Sequence, residues 1–330
     1  MVFQGKRVLV TGADGFIGSH LVEALVKAGA SVRAMALYNS FNSWGWLDGL
    51  SCVGDIEVVS GDIRDAEFVR TAVDGMDLVF HLAALIAIPY SYQAPRSYVD
   101  TNVTGTLNVL QAARQCGTPK LLVSSTSEVY GTARSVPISE EHPRQPQSPY
   151  SATKIAADAL AESFHLSFGL PVTIVRPFNT YGPRQSARAI IPTVILQLLS
   201  GQRRVKLGNV HPTRDLNYVE DTCRGFLALA GCEESIGKSV NVGSGREISI
   251  GELALLIARV VGVDIEIVSD HQRMRPGSSE VERLLSDNGL ITSLTDYAPA
   301  VTLEEGIGRT VEWFRNPQIR ERYKADIYNV

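Results

Sequence analysis

The stretch Arg7-Val-Leu-Val-Thr11-Gly12-Ala-Asp-Gly15-Phe-Ile-Gly18 joins an apolar, strand-like run to a turn that contains three glycines. An amphipathic segment follows over residues 19–28 and predicts a helix. Strand, glycine-rich turn and helix, in this order, are typical of the first unit of a dinucleotide-binding fold. The glycines let the backbone approach a pyrophosphate closely, and the helix N-terminus offers it free N–H groups. The spacing here is Gly-x-x-Gly-x-x-Gly rather than Gly-x-Gly-x-x-Gly.

Apolar, strand-like runs recur downstream and alternate with helical patterns. Residues 31–36, 56–60, 77–81 and 120–123 are the predicted strands. This alternation predicts an α/β fold with a doubly wound parallel sheet, the Rossmann arrangement. Ligands of such sheets bind beyond the carboxyl ends of the strands. The residues that fall at those ends are Gly12, Asp62, Ala83 and Ser124.

The second predicted strand ends in Met35-Ala36-Leu37-Tyr38-Asn39, without the acidic residue that would bind the adenosine ribose of NAD. The choice between NAD and NADP therefore stays open, and Arg33, inside the strand, is not an evident clamp for a 2′-phosphate. Asp62 has the right position to bind an adenine amino group, although helix capping by Asp65 explains this segment equally well. We interpret His81 as a structural histidine beside the cofactor rather than as a catalytic base.

Two further stretches carry reactive side chains. Ser124-Ser125-Thr126-Ser127-Glu128-Val129-Tyr130 ends a predicted strand in hydroxyls and one carboxylate, and Tyr150-Ser-Ala-Thr-Lys154 opens a predicted helix that Ser148 caps. Residues i and i+4 share one face of a helix, so Tyr150 and Lys154 point the same way. An ammonium beside a phenol favours the phenolate, so we expect Lys154 to lower the pKa of Tyr150.

Length and composition limit the function classes. A chain of 330 residues with 45% apolar residues predicts roughly two globular domains. The net charge of −4 argues against nucleic acid as a partner, and the apolar runs are too short to span a membrane. The four scattered cysteines show no metal-like spacing and the N-terminus has no signal-peptide layout, so we expect no metal and a cytoplasmic protein.

The alternation of strands and helices continues through a strand at residues 171–177 and then loosens. We predict a dinucleotide-binding Rossmann domain over residues 1–177 plus about 215–245, and a smaller substrate-binding domain over residues 178–214 and 246–330. Helices are expected at 97–115, 189–199, 250–261 and 303–322, and one more sheet strand at 239–243. Four arginines of the second half are candidates to neutralise a nucleotide diphosphate: Arg184, Arg188, Arg214 and Arg275.

Together these motifs resemble the extended short-chain dehydrogenase/reductases that act on nucleotide sugars. The matching segments are Thr11-Gly12-x-x-Gly15-Phe-Ile-Gly18, Gly61-Asp62-Ile63, His81-Leu-Ala-Ala84, Thr126-Ser127-Glu128-Val-Tyr-Gly131, Tyr150-x-x-x-Lys154, Arg176-Pro-x-Asn179-x-Tyr-Gly-Pro-Arg184 and Arg214-Asp215. A closer similarity is to the nucleotide-activated N-acetylglucosamine 4,6-dehydratases of the legionaminic acid pathway. It is carried by Leu37-Tyr-Asn-Ser-Phe-Asn-Ser-Trp-Gly-Trp46, Ala84-Leu-Ile-Ala-Ile-Pro-Tyr-Ser-Tyr92 and His211-Pro-Thr-Arg-Asp-Leu-Asn217.

This resemblance implies bound NAD, with NADP not excluded, a UDP- or GDP-linked sugar as substrate, and a homodimer built from the helices at 97–115 and 149–168. The implied catalytic residues are Thr126, Ser127, Glu128, Tyr150 and Lys154. The implied cofactor contacts are Gly12, Gly15, Phe16, Ile17, Gly18, Asp62, Ile63, Leu82, Ala83, Ala84, Asn102, Ser124, Tyr150, Lys154 and Pro177. The implied substrate contacts are Asn179, Arg184, Arg188, Arg214 and Arg275.

One departure from the dehydratase pattern concerns the reaction itself. Many sugar-nucleotide dehydratases have Thr-Asp-Glu where this chain has Thr126-Ser127-Glu128. Serine is a poor proton donor, so either Glu128 performs both proton transfers or a water assists. The Thr-Ser-Glu form resembles GDP-mannose 4,6-dehydratases but also UDP-glucuronate decarboxylases, and Glu128 argues against a simple 4-epimerase. A reductase of a related amino-sugar intermediate and a non-enzymatic dinucleotide sensor are the remaining alternatives.

Overall fold

The computed structural model describes residues 2–274 and 276–324, and a seven-stranded parallel sheet lies at its centre. The strands in chain order are β1 (Arg7–Thr11), β2 (Ser31–Leu37), β3 (Glu57–Gly61), β4 (Leu78–His81), β5 (Leu121–Ser124), β6 (Val172–Pro177), β7 (Asn179–Tyr181), β8 (Arg204–Leu207), β9 (Thr213–Tyr218), β10 (Ser239–Val242), β11 (Glu247–Ser249), β12 (Glu266–Ser269) and β13 (Arg283–Leu284). The central sheet has the order β10-β6-β5-β4-β1-β2-β3, and every neighbouring pair is parallel. The predicted doubly wound sheet and its late strand near residue 239 are confirmed.

Helices flank this sheet and connect its strands. They are α1 (Phe16–Lys27), α2 (Ala66–Val73), α3 (Ile88–Gln93), α4 (Pro95–Tyr98), α5 (Gly105–Gln115), α6 (Pro149–Phe168), α7 (Ile190–Leu199), α8 (Val219–Ala230), α9 (Ile250–Val261), α10 (Gly289–Leu294), α11 (Leu303–Arg315) and α12 (Pro317–Arg320). As predicted, Ser148 caps α6; it forms a capping box with Ser151.

Two predicted helices are interrupted in the structure. The helix expected over residues 97–115 contains a π-helical turn at Val99–Thr104 between α4 and α5. The helix expected over residues 303–322 ends at Arg315, because Asn316 leaves the helical conformation and caps a new short helix that begins at Pro317. A proline inside a helical pattern removes a backbone donor, which favours a break at this point.

The second half of the chain adds smaller sheets. Strands β7, β9, β11 and β13 form one mixed sheet, and β8 pairs with β12. A single cluster of buried side chains contains Val8 of β1, Ile195 of α7 and Phe314 of α11, so these elements of both halves share one core. The division into two domains at the predicted residue numbers stays a prediction.

The order of the central sheet locates its crevice. The order in which strands are added to the sheet reverses at β1. The next strand, β2, pairs with β1 on one side, and β4 pairs with it on the other side. Thr11, the last residue of β1, lies opposite Met35 and His81. Open α/β sheets bind ligands at such a switch point, beyond the carboxyl ends of the strands.

Candidate active site

The glycine-rich turn after β1 is packed too tightly for side chains at Gly12 and Gly18. Gly12 has a φ of +67°, and a Cβ on it would lie 2.8 Å from the backbone of Ala83. A Cβ on Gly18 would lie 2.1 Å from the Gly12 carbonyl oxygen. The helix α1 begins after Gly15 with no side chain capping it, so the first N–H groups, those of Phe16 and Ile17 among them, are available to an anion. These observations fit a dinucleotide pyrophosphate.

A buried histidine network holds the end of β4 against this turn. His81 is 3% exposed; its Nδ1 lies 2.9 Å from the Thr11 hydroxyl and its Nε2 lies 3.0 Å from the Thr106 hydroxyl. Burial, the largest cause, and the charge of Lys154 lower the pKa of His81 to about 3. The Thr11 hydroxyl also accepts hydrogen bonds from the N–H groups of Leu82 and Ala83. This environment agrees with the structural role predicted for His81.

Asn102 connects the next turn to α6. Its side-chain oxygen accepts a hydrogen bond from the N–H of Leu85 at 2.8 Å, and its amide nitrogen donates to the Leu85 carbonyl and to the Thr153 hydroxyl. Because these hydrogen bonds join Leu85 to Thr153 of α6, Asn102 positions the segment that follows Ala84. Its direct contact with a cofactor stays a prediction.

The segment after β3 caps a helix, which is one of the two uses that the sequence left open for it. Asp65 caps α2 by accepting hydrogen bonds from the N–H groups of Glu67 and Phe68. Asp62 forms an ion pair with Arg64, whose guanidinium lowers the pKa of the Asp62 carboxyl. Ile63 is buried and contacts the site of Gly105, where a Cβ would lie 2.5 Å from the Ile63 side chain. The contact of Asp62 with adenine stays a prediction.

The hydroxyl-rich turn after β5 and the first turn of α6 meet beyond the end of the sheet. Thr126 accepts a hydrogen bond from the N–H of Glu128, and its hydroxyl lies close enough to Tyr150 to lower the pKa of the phenol, against the larger effect of burial. The Glu128 carboxylate lies close enough to Tyr150 to raise the pKa of the phenol. The structure therefore brings Thr126, Glu128 and Tyr150 together on one side of the sheet. Ser127 is 2% exposed and Tyr150 is 6% exposed.

The expected effect of Lys154 on Tyr150 is wrong for this structure. Burial is the largest influence on Tyr150, and it raises the pKa of the phenol, whereas the Thr126 hydroxyl acts in the opposite direction. Lys154 is itself buried, which lowers its pKa to about 8 although the charge of Asp158 opposes this shift. The Lys154 ammonium donates to the Ser124 carbonyl at 2.6 Å. Desolvation is therefore the largest influence on the pKa of both side chains.

A buried ion pair that the sequence analysis did not identify lies beneath the lysine. Asp158 of α6 is 0% exposed and accepts hydrogen bonds from Arg176 of β6 at 3.0 and 3.2 Å. Arg176 also donates to the Tyr130 hydroxyl, which in turn donates to Asn241 of β10. The spacing of Tyr150, Lys154 and Asp158 in steps of four residues is the signal that points to this carboxylate.

The predicted substrate residues have different surroundings. The buried side-chain oxygen of Asn179 has no hydrogen-bond partner among the described residues, so it is free to accept from a ligand. Burial raises the pKa of the Tyr98 phenol to about 12, and the exposed Arg188 lies close enough to oppose this shift. The Tyr98 ring packs edge-on against Tyr150 at 6.3 Å, so Arg188 lies near the group of Thr126, Glu128 and Tyr150. No pattern in the sequence pointed to Tyr98.

The other arginines have protein partners or cannot be placed. Arg184 forms an ion pair with Glu23 of α1 at 2.7 Å, and its contact with a substrate stays a prediction. Arg214 is buried and lies 3.3 Å from the Glu280 carboxylate. Arg275 lies outside the described residues. Pro177 ends β6, directly before this group of loops.

Neither a metal-binding cluster nor a membrane-spanning helix is found within the described part of the chain. Across residues 2–274 and 276–324, no three His, Cys, Asp or Glu side chains are grouped so as to hold a metal ion. Over the same residues, every helix is too short or too polar to cross a lipid bilayer.

Curated proteins similar to this chain catalyse several reactions on nucleotide sugars. The chain is 34% identical to the dTDP-glucose 4,6-dehydratase of Streptomyces antibioticus, over 94% of this chain and 92% of that protein. It is 35% identical to the UDP-glucose 4-epimerase of Mycolicibacterium smegmatis, over 94% and 99%. It is 34% identical to the UDP-N-acetyl-alpha-D-glucosaminuronate decarboxylase of Bacillus cytotoxicus, over 94% and 98%.

Solved structures of an epimerase and a dehydratase are similar to this chain over nearly its whole length. The epimerase Mth375 of Methanothermobacter thermautotrophicus has a TM-score of 0.88 at 33% identity, covering 97% of this chain and 95% of that chain. The dTDP-glucose 4,6-dehydratase of Streptomyces venezuelae, determined with NAD bound, has a TM-score of 0.87 at 31% identity, covering 96% and 99%. The family model of GDP-mannose 4,6 dehydratase matches residues 9–310. The chain therefore belongs to the extended short-chain dehydrogenase/reductases, in the NAD-dependent epimerase/dehydratase family that acts on nucleotide sugars.

Proposed function

We propose that the protein is a nucleotide-sugar 4,6-dehydratase that converts an NDP-N-acetylglucosamine-type substrate into the 4-keto-6-deoxy sugar. The observation that carries this proposal is the grouping of Thr126, Glu128 and Tyr150 on one side of the sheet end, above the buried Lys154. A dehydratase needs a base for the sugar O4 proton and a carboxylate for the C5 proton, and this grouping supplies both.

In the first step, Tyr150 accepts the proton of the sugar O4 hydroxyl while C4 becomes a ketone. Thr126, which lies beside the phenol, is the proposed donor to the same sugar oxygen. Bound NAD would supply the acceptor for the C4 hydride and later the donor of that hydride to C6, where C5 regains a proton from solvent, and its positively charged ring would favour the phenolate. Lys154 and Ser124 border the side of the site where the nicotinamide ribose would lie, and the Lys154 ammonium is oriented by the Ser124 carbonyl.

In the second step, Glu128 removes the C5 proton, which the neighbouring ketone has made acidic. The electron pair forms the C5–C6 double bond, the C6–O bond breaks, and the leaving hydroxyl departs as water with a proton. Ser127 is a poor donor for that proton, and it is almost completely buried. We therefore assign both transfers to Glu128, which gives back to the C6 hydroxyl the proton that it took from C5.

The finer parts of the proposal concern substrate and assembly. Residues 37–46 and 84–92 support an N-acetylglucosamine-type sugar of the legionaminic acid pathway, because they resemble that group of dehydratases. The proposed contacts for a UDP- or GDP-linked substrate are Asn179, Arg184, Arg188, Arg214 and Arg275. We also propose a cytoplasmic homodimer through α5 and α6, where Leu166 (83% exposed) and Phe168 (49% exposed) offer apolar surface. Sedimentation as a monomer at micromolar concentration would contradict this assembly.

A panel of NDP-sugars with product analysis by mass spectrometry tests the reaction. A dehydratase product has lost one water, with no net consumption of NAD; an epimerase product keeps the mass of its substrate. In deuterated water, Glu128→Gln is expected to abolish exchange at C5 while hydride transfer from C4 continues. The exposed Glu141→Gln is the matched control and should keep full turnover. Full turnover by Glu128→Gln would remove this carboxylate from the mechanism.

One observation favours a second candidate, a decarboxylase of a UDP-linked uronic acid. Loss of carbon dioxide from a 4-keto intermediate requires no proton donor for a leaving hydroxyl, so the serine at position 127 is compatible with it. A product that has lost carbon dioxide from an NDP-uronate, together with no reaction on NDP-N-acetylhexosamines, would establish this alternative.

A further inference from the structure

The end of β2 carries no charged side chain at the place where the family's fold usually binds the adenosine ribose. Leu37, Tyr38 and Asn39 follow one another there. Asn39 is occupied locally: its amide nitrogen donates to the Ser43 carbonyl at 2.8 Å and its side-chain oxygen accepts from the N–H of Phe41. Recognition of the ribose 2′-hydroxyl, if it is specific, must come from another element.

The glycine-rich turn supplies a carboxylate at this same place. Asp14 is half-buried, and its Oδ2 accepts a hydrogen bond from the N–H of Leu37 at 3.2 Å. The preceding residue, Ala13, donates to the Met35 carbonyl at 3.1 Å. The turn is thereby joined to the last residues of β2, and the Asp14 side chain bridges the two.

A third segment fixes the Asp14 backbone. The N–H of Trp46 donates to the Asp14 carbonyl at 3.1 Å. Gly45 has a φ of +62°, and a Cβ on it would lie 2.7 Å from that carbonyl oxygen. Asp14 is therefore held by the turn, by β2 and by the loop that follows β2, which leaves its carboxylate a narrow range of positions.

In dinucleotide-binding folds the pyrophosphate lies over the glycine-rich turn, and the adenosine ribose reaches the end of the second strand. Asp14 belongs to the turn and touches the end of that strand. We propose that Asp14 replaces the missing acid of β2: its carboxylate accepts a hydrogen bond from the ribose 2′-hydroxyl and repels a 2′-phosphate, so that it selects NAD over NADP.

Three arginines near this region already have partners within the protein. Arg33 donates to Glu57 at 2.8 Å and to the Ala72 carbonyl, and Arg64 is paired with Asp62. Arg322 lies over the Trp46 ring at 4.2 Å and contacts the Gly45 carbonyl. Of these three, Arg322 is the one that lies beside the segment holding Asp14, so it is the competing determinant that the test has to include.

The test measures binding of the two dinucleotides, without any sugar substrate. Displacement of bound NAD by added NADP is followed by isothermal calorimetry, and the dinucleotide released on denaturing the purified protein is identified. Like charges brought together in a binding site cost several kcal/mol, which corresponds to a preference of about a hundredfold for NAD in the unaltered protein. Asp14→Asn keeps an acceptor for the Leu37 N–H but removes the charge, and should reduce this preference at least about tenfold. Asp55→Asn makes the same change in net charge at an exposed position and should leave the preference unchanged.

Three outcomes would overturn the proposal. They are a preference of the unaltered protein for NADP, an unchanged preference in Asp14→Asn, and a loss of preference in Arg322→Gln equal to that expected for Asp14→Asn. If Asp14→Asn does not fold, Asp14→Ser provides the second variant. The proposal rests on the NAD dependence of the family and not on the dehydratase reaction, so binding data and product analysis can fail independently.

Discussion

The cofactor side and the substrate side of the site are built in different ways. On the cofactor side, backbone groups and neutral side chains are held by protein partners: His81 lies between Thr11 and Thr106, and Asn102 binds the segment at Leu85. On the proposed substrate side, arginine side chains are paired with carboxylates, as in Arg184–Glu23 and Arg214–Glu280. The first region is preformed, whereas cations of the second have to exchange partners if they are to bind an anion.

The two regions differ in the free energy that is needed to break their contacts. A buried polar network is expensive to break because each group would lose its partner without gaining water. The partly exposed Arg184–Glu23 pair contributes little, so an incoming diphosphate can replace the Glu23 carboxylate at small cost. The cofactor stays in place through each turnover of the proposed reaction, whereas the sugar nucleotide enters and leaves, and the two constructions suit these tasks.

The largest expected effect is on catalysis, where the two regions meet. Tyr150→Phe removes the proton acceptor and should lower turnover by about a thousandfold, a typical contribution of general acid–base catalysis. NAD affinity should change little, because the substitution leaves the glycine-rich turn after β1 unchanged. Turnover and NAD binding are measured on the same preparation. The partly exposed Tyr90→Phe is the control, and a loss of less than tenfold in Tyr150→Phe would remove the phenol from its assigned role.

The next effect concerns the stability of the preformed region. Asp158→Ala leaves Arg176 buried without its closest carboxylate and should reduce the free energy of unfolding by roughly 3–5 kcal/mol. Glu162 lies one turn further along α6, and its carboxylate is 3.9 Å from the same guanidinium but partly exposed. Glu162→Ala should therefore cost only about 1 kcal/mol or less. Urea unfolding of both variants measures these two changes in the free energy of unfolding. Equal changes would show that burial of the ion pair does not determine its contribution to stability.

A pH titration compares one histidine from each region. Burial lowers the pKa of His81 to about 3 and that of His20 to about 4; the positive charge of Arg184 also acts on His20. Below the unfolded-state pKa near 6.5 the unfolded chain binds more protons than the folded one, so stability falls as the pH falls toward 4. Each histidine contributes a slope of at most about 1.4 kcal/mol per pH unit. Urea unfolding of His20→Gln should show a shallower slope than the unaltered protein, and an identical slope would contradict the assignment.

The smallest expected effect is in the substrate region. Arg184 and Glu23 are partly exposed, with side chains 16% and 34% accessible, so their coupling energy should be about 1 kcal/mol or less. A double-mutant cycle with Arg184→Met and Glu23→Gln, followed by urea unfolding, measures this coupling. A value above about 2 kcal/mol would mean that this pair is as fixed as the buried network, and the contrast between the two regions would disappear.

Local features of this protein were determined by the sequence alone. The turn from Gly12 to Gly18, the cap at Ser148 and the shared face of Tyr150 and Lys154 depend on residues within one or two turns of each other. Alternating strand and helix patterns were enough to predict the parallel sheet, because right-handed, short connections leave few other topologies. The break at Pro317 was also a local signal, and the sequence analysis missed it.

Only the tertiary structure decided the electrostatics of the site. The pKa of Tyr150 is raised rather than lowered because distant segments remove water from the phenol, and no spacing within α6 reveals that. Asp158 meets Arg176 across 18 residues, and Asp14 meets the end of β2 across 23. Desolvation and long-range contacts depend on which elements pack together, so they follow from the folded arrangement and not from neighbouring residues in the chain.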